Sequence, residues 1–455
     1  MSGVLCGILA VLLAVGAEGG GKAAGATADE VGIILGRPDL ALKPEAVAPD
    51  ERAAVAAVES LGARLRLGPV GRVESVIWED DRLTDGEMQR LASFPALASL
   101  CVSASRLSPA GLRPLLGLAK LRELDLSVPH LTGEYLDIVA QMPGIETLGL
   151  GGAGSGRDIP RLRPLRNLKS LSLGGSFTDR DVTREVAKLE SLRRLFVYSP
   201  ITPAAMGELR GLAGLETLDV YPFPPIEVLA KIGEITSLKR FGRSVATARL
   251  WTDARLEKIQ TLTNLGRLYL DGSNVTDGGM LYVGRMVGLE FLSLSRTKVG
   301  DAGLAHLRGL RNLKQLNLEG TTVTDAGLGN VAKLPSLLEL NLRGTKVSDA
   351  GMPVIAKMRS LRSLDLYQTT VTDTGARALA KLQKDADPVF SKSIFFPEAV
   401  TDRAMGFLHE RGVVCSRPLP ALKVPPGGSG DLPPWARPSD ARRPATPRPD
   451  RKKEP

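Results

Sequence analysis

From Thr263 to Leu382 the chain repeats one hydrophobic pattern five times at a spacing of 24 residues, with no insertion between copies. In the copy from Arg311 to Leu334 the apolar positions are Leu313, Leu316, Leu318, Val323, Leu328, Val331 and Leu334. Leu316 and Leu318 alternate with Gln315, Asn317 and Glu319, the period of two of a strand with one covered face. Leu328, Val331 and Leu334 then recur every third residue behind Thr324 and Asp325, whose side-chain oxygens suit the free N–H groups of a helix N-terminus. Each unit therefore predicts a strand, a turn and a short helix. No unit buries enough by itself to fold, so the copies must stack, pairing strands with both neighbours and closing the ends of each coil's core.

The same pattern runs upstream, in clear units starting at Gly71, Pro95 and Ala119 and looser ones starting at Pro143, Arg166, Glu190, Ala213 and Thr236, which makes thirteen units over 71–382. At a strand spacing of about 4.8 Å their sheet is on the order of 60 Å long. Within the looser units YPFPPI (Tyr221 to Ile226) puts prolines where the turn and helix entry belong. Ahead of the units, Pro49 to Leu61 reads as a helix with Asp50 at its start, Val55, Val58 and Leu61 on one face and Gly62 at its end. RLRL, GPVG and RVESVIW follow as a hairpin whose second strand, with Val73, Val76 and Trp78, opens the stack. Residues 49–70 are thus expected to cap the first coil. After Leu382 a degenerate unit over 383–416, with Phe390, Phe395, Val400 and Leu408 pointing inward, is expected to cap the last.

The run LxxLxxLxLxxTxVTDAGLxxL resembles the leucine-rich repeats of bacterial exported proteins and is similar to the cysteine-containing repeats of F-box adaptors in ubiquitin ligases. The resemblance implies an α/β fold: a right-handed leucine-rich-repeat solenoid, or horseshoe, with a parallel sheet on the concave side and short helices on the convex side. It also implies a recognition role without enzymatic activity or cofactor. Where other subtypes hold Asn or Cys, this chain has Thr297, Thr321, Thr345 and Thr369, whose hydroxyls are expected to form a ladder to the backbone of adjacent coils.

Composition changes the picture at the two ends. Val4 to Ala17 is one apolar run of signal-peptide length, which predicts an exported protein with a spacer over 18–48. From Arg417 the chain is rich in proline with nine basic and four acidic residues, so 417–455 is expected to be a disordered basic tail able to contact anionic surfaces. That tail supplies five of the nine formal positive charges of the 455-residue chain. Three cysteines do not predict a disulfide framework or a zinc site, and His130, His306 and His409 lie far apart. GLGGAG (Gly149 to Gly154) matches a nucleotide-binding glycine pattern, but Pro160 and Pro164 oppose the helix that would hold a pyrophosphate. Asp301, Asp325, Asp349 and Asp373 recur as helix caps and are not read as catalytic carboxylates. No catalytic, cofactor or metal site is predicted.

The strand face pointing away from the core, at unit positions 5, 7 and 9, carries the candidate binding residues. Phe196, Tyr198, Tyr221, Tyr269 and Phe291 fall there within a span of five adjacent strands, with Arg194, Arg240 and Arg267 at position 5; Tyr367 is further along. In a chain with 4% aromatic residues this concentration predicts a protein-binding patch, since aromatic and Arg side chains dominate interface energetics. The sequence reading is a monomeric exported scaffold that binds an unidentified protein or surface polymer, not a specific nucleic acid. Its rivals are an intracellular F-box-like adaptor and a targeting module for a wall-polymer enzyme.

Overall fold

The computed structural model describes residues 46–417 except Arg82, Ser155, 176–179, 243–247, 381–392 and Gly412. The expected leader, the spacer up to residue 45, Phe390 and the basic tail beyond Arg417 lie outside the described residues. Strands β1 (Arg64–Leu67) and β2 (Val73–Glu79) pair antiparallel, with Leu65 opposite Val76. Every later pairing is parallel. A nine-stranded sheet continues through β3 (Ser99–Ser103), β4 (Glu123–Leu131), β5 (Thr147–Gly154), β6 (Ser170–Gly174), β7 (Arg194–Tyr198), β8 (Thr217–Val220) and β9 (Arg240–Phe241). A seven-stranded sheet follows, with β10 (Arg267–Tyr269), β11 (Phe291–Ser293), β12 (Gln315–Asn317), β13 (Glu339–Asn341), β14 (Ser363–Asp365), β15 (Ser393–Phe395) and β16 (Val414–Ser416). Helical segments such as Asp277–Val283 and Asp325–Val331 connect successive strands, giving the right-handed crossover that parallel strands require.

Register turns the sequence period into continuous rows. Leu268, Leu292, Leu316, Leu340 and Leu364 are successive partners and all are buried. They belong to one apolar core that extends from Val47 to Cys415. Between β9 and β10 the strand pairing lapses, yet the coils remain joined, as Gly266 N–H donates to the Lys239 carbonyl at 2.9 Å.

The TDAGL motif holds the seams between coils. Asp301 does not cap its own helix, as expected from sequence; it accepts from the backbone N–H and hydroxyl of Thr324, in the next coil, at 2.8 and 2.6 Å. Thr324 in turn accepts from Ala326 N–H at 3.2 Å and so caps its helix. Asp253, Asp325, Asp349 and Asp373 do the same for Thr276, Ser348, Thr372 and Thr401. The glycine of the motif makes room for this bond: a Cβ on Gly327 would lie 2.4 Å from Asp301 Oδ1, and one on Gly351 2.4 Å from Asp325 Oδ1.

Other local expectations are corrected by side-chain reach. Thr297, Thr321, Thr345 and Thr369 do not bridge coils; each donates to a carbonyl three residues back, as Thr321 does to Leu318 at 2.7 Å. The bridges come from the residue after, Thr322 to Val299 and Thr370 to Val347, both at 3.1 Å. The first helix begins at Arg52 behind Glu51 rather than at an Asp50 cap, because Asp50 pairs with Arg72 and the buried Glu51 accepts from Val73 N–H at 2.8 Å. Trp78 Nε1 donates to the Leu61 carbonyl at 3.2 Å, tying that helix and hairpin together. In the last coils Phe395 is opposite Asp365 on the open face, while Ile394, Phe396, Val400 and Leu408 are buried. Cys101 is disulfide-bonded, which the sequence did not predict; Cys415 is free and buried.

Candidate functional site

Alternation along each strand decides which side chains reach the open face. In β10, Leu268 enters the core, so Arg267 and Tyr269 must face outward; in β11, Leu292 sends Phe291 outward for the same reason. Register then sets Arg267 beside Phe291. The Tyr269 and Phe291 ring centroids are 4.8 Å apart at an interplanar angle of 38°, and the Arg267 guanidinium lies 5.8 Å from the Phe291 centroid. Both rings are half-buried and Arg267 is exposed. Tilted rings at this distance and a guanidinium over one of them form a rigid, partly desolvated platform.

The other candidates do not join this platform. Phe196 is only 4% exposed, so it is not available as a free ring on the sheet surface. Its register neighbours are Ser172, itself 2% exposed, and Asp219. Tyr198 and Arg194 flank it and are half-buried. Burial raises the Tyr198 phenol above its ordinary range, with Asp219 and Asp125 adding to the effect. Tyr221 is 63% exposed but lies past the end of β8, ahead of a cis bond to Pro222. Arg240, half-buried, donates to Thr217 Oγ1 at 3.0 Å. The five-strand aromatic cluster expected from sequence is therefore two groups, one at β7 and one at β10–β11, separated by the short β9.

Two further features stand on the same face. Arg343 lies 4.7 Å from the Tyr367 ring centroid, a second guanidinium–aromatic pair at β13–β14; the tyrosine was visible in the sequence by its position 9, and so was the arginine by the same rule. Asp125, at position 7 of β4, is buried, and burial, with Glu79 adding to it, pushes its carboxyl up to about 7. Burial likewise raises Asp271 and Asp365, against hydrogen bonds that favour their charged forms. Among the described residues no group of three His, Cys, Asp or Glu side chains is placed to hold a metal, and no helix is long and apolar enough to cross a membrane.

Residues 309–332, 333–356 and 357–380 match a family model described as leucine-rich repeat, one match per coil. No curated protein matches the chain. Among solved structures, an internalin from Listeria monocytogenes is 18% identical, covering 76% of this chain and 97% of its own, with a TM-score of 0.36. A leucine-rich-repeat protein from Leptospira interrogans is 17% identical, covering 72% of this chain and 91% of its own, with a TM-score of 0.43. The three matched coils, with parallel strands and short helices repeating before and after them, make this chain a leucine-rich-repeat solenoid.

Proposed function

We propose that the chain is a non-enzymatic recognition scaffold whose concave sheet binds a protein partner through Arg267, Tyr269 and Phe291. The observation that carries this reading is the platform these residues form on adjacent strands. Tyr and Arg anchors held rigid before binding lose little side-chain entropy and dominate affinity out of proportion to their area. Arg343 with Tyr367 extends the same face toward the C-terminal end. Export belongs to the reading through the apolar run Val4 to Ala17, and so does a monomeric state.

The test is capture of a partner from exported and surface proteins with immobilised full-length chain. Tyr269→Ala combined with Phe291→Ala should keep the circular dichroism spectrum and lower capture at least about tenfold, as expected for loss of two aromatic anchors. Undiminished capture by the double variant would place the binding site elsewhere.

A further inference from the structure

Over β10–β13 register lays the charged groups of the open face out as a grid. Arg267, Phe291, Gln315 and Glu339 are successive partners and form one row. Asp271, Ser295, Glu319 and Arg343 form the row four residues on, where the N–H groups of Gly272, Arg296 and Gly320 donate to the carbonyls of Ser295, Glu319 and Arg343. The corners of the grid therefore alternate in charge, with Arg267 and Arg343 on one diagonal and Asp271 and Glu339 on the other. Among the described residues neither corner arginine makes an ion pair: Arg267 lies over Phe291, and Arg343 lies over Tyr367 and donates from Nε to Gln368 at 3.4 Å. Arg296, by contrast, is already paired with Glu319 at 3.2 Å. Between the two free guanidinium groups stand Asn317 and Asn341, both half-buried. Their Oδ1 atoms accept from Glu319 N–H at 3.0 Å and Arg343 N–H at 2.9 Å, while the amide N–H groups have no partner among the described residues. The grid is open to solvent, with Arg267, Glu339 and the glycines Gly320 and Gly344 beside Arg343 all exposed.

A guanidinium stacked on a ring keeps its N–H edges for a carboxylate, which it can hold through two parallel hydrogen bonds. The diagonal from Arg267 through Asn317 and Asn341 to Arg343 thus offers donors at every step. We propose that the partner's bound segment is an extended acidic peptide lying along this diagonal, with one carboxylate on Arg267 and a second on Arg343. This rests on the scaffold reading above and adds the chemistry of the partner. Three strand spacings by four residues make the diagonal roughly 20 Å long, which about six residues of extended chain span. Asp271 and Glu339 repel carboxylates from the other two corners, so the alternation selects the diagonal that the segment follows. A basic segment on the opposite diagonal fits less well, because Asp271 already accepts from Ser293 Oγ and Asn317 presents a donor at the centre.

The probe is a labelled N-acetyl-octaglutamate amide titrated into the full-length chain at neutral pH, with N-acetyl-octalysine amide as its charge-reversed counterpart. Octaglutamate should bind saturably, and Arg267→Gln combined with Arg343→Gln should weaken it at least about fivefold while keeping the circular dichroism spectrum. Glu339→Gln removes a repelling corner without touching either arginine, and should strengthen binding. The basic residues beyond Arg417 are the same in every variant, so the differences between variants read the sheet. Octaglutamate affinity that is unchanged in the double arginine variant, or octalysine bound more tightly than octaglutamate by the parent chain, would overturn the proposal. If the Tyr269 and Phe291 variant still lost its captured partner in that case, the scaffold reading would stand and only the acidic-segment site would fall.

Discussion

Two kinds of aspartate in this chain respond to pH in opposite directions. Asp373 accepts from the backbone N–H and hydroxyl of Thr401, which hold its carboxyl below the usual range. Its contribution to stability is present above the ordinary carboxylate pKa and is lost as pH falls through the lowered one. Asp125 is raised to about 7 from 3.8, so the folded state keeps its proton longer than the unfolded chain does. Its penalty therefore grows as pH rises from near 4 to about 7, reaching on the order of 4 kcal/mol at about 1.4 kcal/mol per unit. The melting temperature of the parent chain should accordingly decline between pH 5 and pH 8, and Asp125→Asn should flatten that decline. Thermal melts of both across that range decide it; parallel slopes would mean that Asp125 does not ionise in the folded state. At this scale the sequence was informative about direction but not about cover. Alternation with Leu268 and Leu292 put Tyr269 and Phe291 on the open face, where they are found. The same rule put Phe196 there, and it is buried, so alternation along a strand gives a side chain's direction and not its exposure.

The unit of stability at the next scale is the seam between coils. The aspartate of one TDAGL motif, the threonine of the next and the following glycine form a single contact, repeated from Asp253 to Thr401 with Gly300 replacing the hydroxyl once. The motif's recurrence was legible, but the partner of each aspartate was not: a local capping rule assigns the carboxylate to its own helix, whereas the stack offers it a better donor pair 23 residues on. The same helix supplies a paired test. Gly327→Ala puts a methyl 2.4 Å from Asp301 Oδ1 and should destabilise by roughly 1–3 kcal/mol, the range for overpacked sites. Gly329→Ala, two residues on in the same helix, meets nothing within 4 Å and should stabilise by roughly 0.5–1 kcal/mol through helix propensity alone. Denaturant unfolding of the two variants separates seam packing from propensity; equal effects of the same sign would remove the structural role given to the motif.

Across the whole molecule, repetition gives one axis and the irregular coils divide it. Five regular units made the C-terminal half readable almost residue by residue, since each strand there follows the last at constant spacing. The upstream coils kept their inward leucines, but the pairing lapse after β9 and the split of the aromatic cluster arise where unit length drifts, around YPFPPI and the segment before Trp251. The outcome is a concave face with an aromatic, guanidinium-bearing stretch over β10–β14. The central claim, that this face and not the helical side meets the partner, is tested most directly by site-specific photo-crosslinking. A benzophenone side chain at Tyr269 on the open face is compared with one at Leu281, an exposed position in the helix Asp277–Val283 of the same coil. Crosslinks to the captured partner from position 269 and none from 281 are the expected result; crosslinks from 281 alone would contradict it.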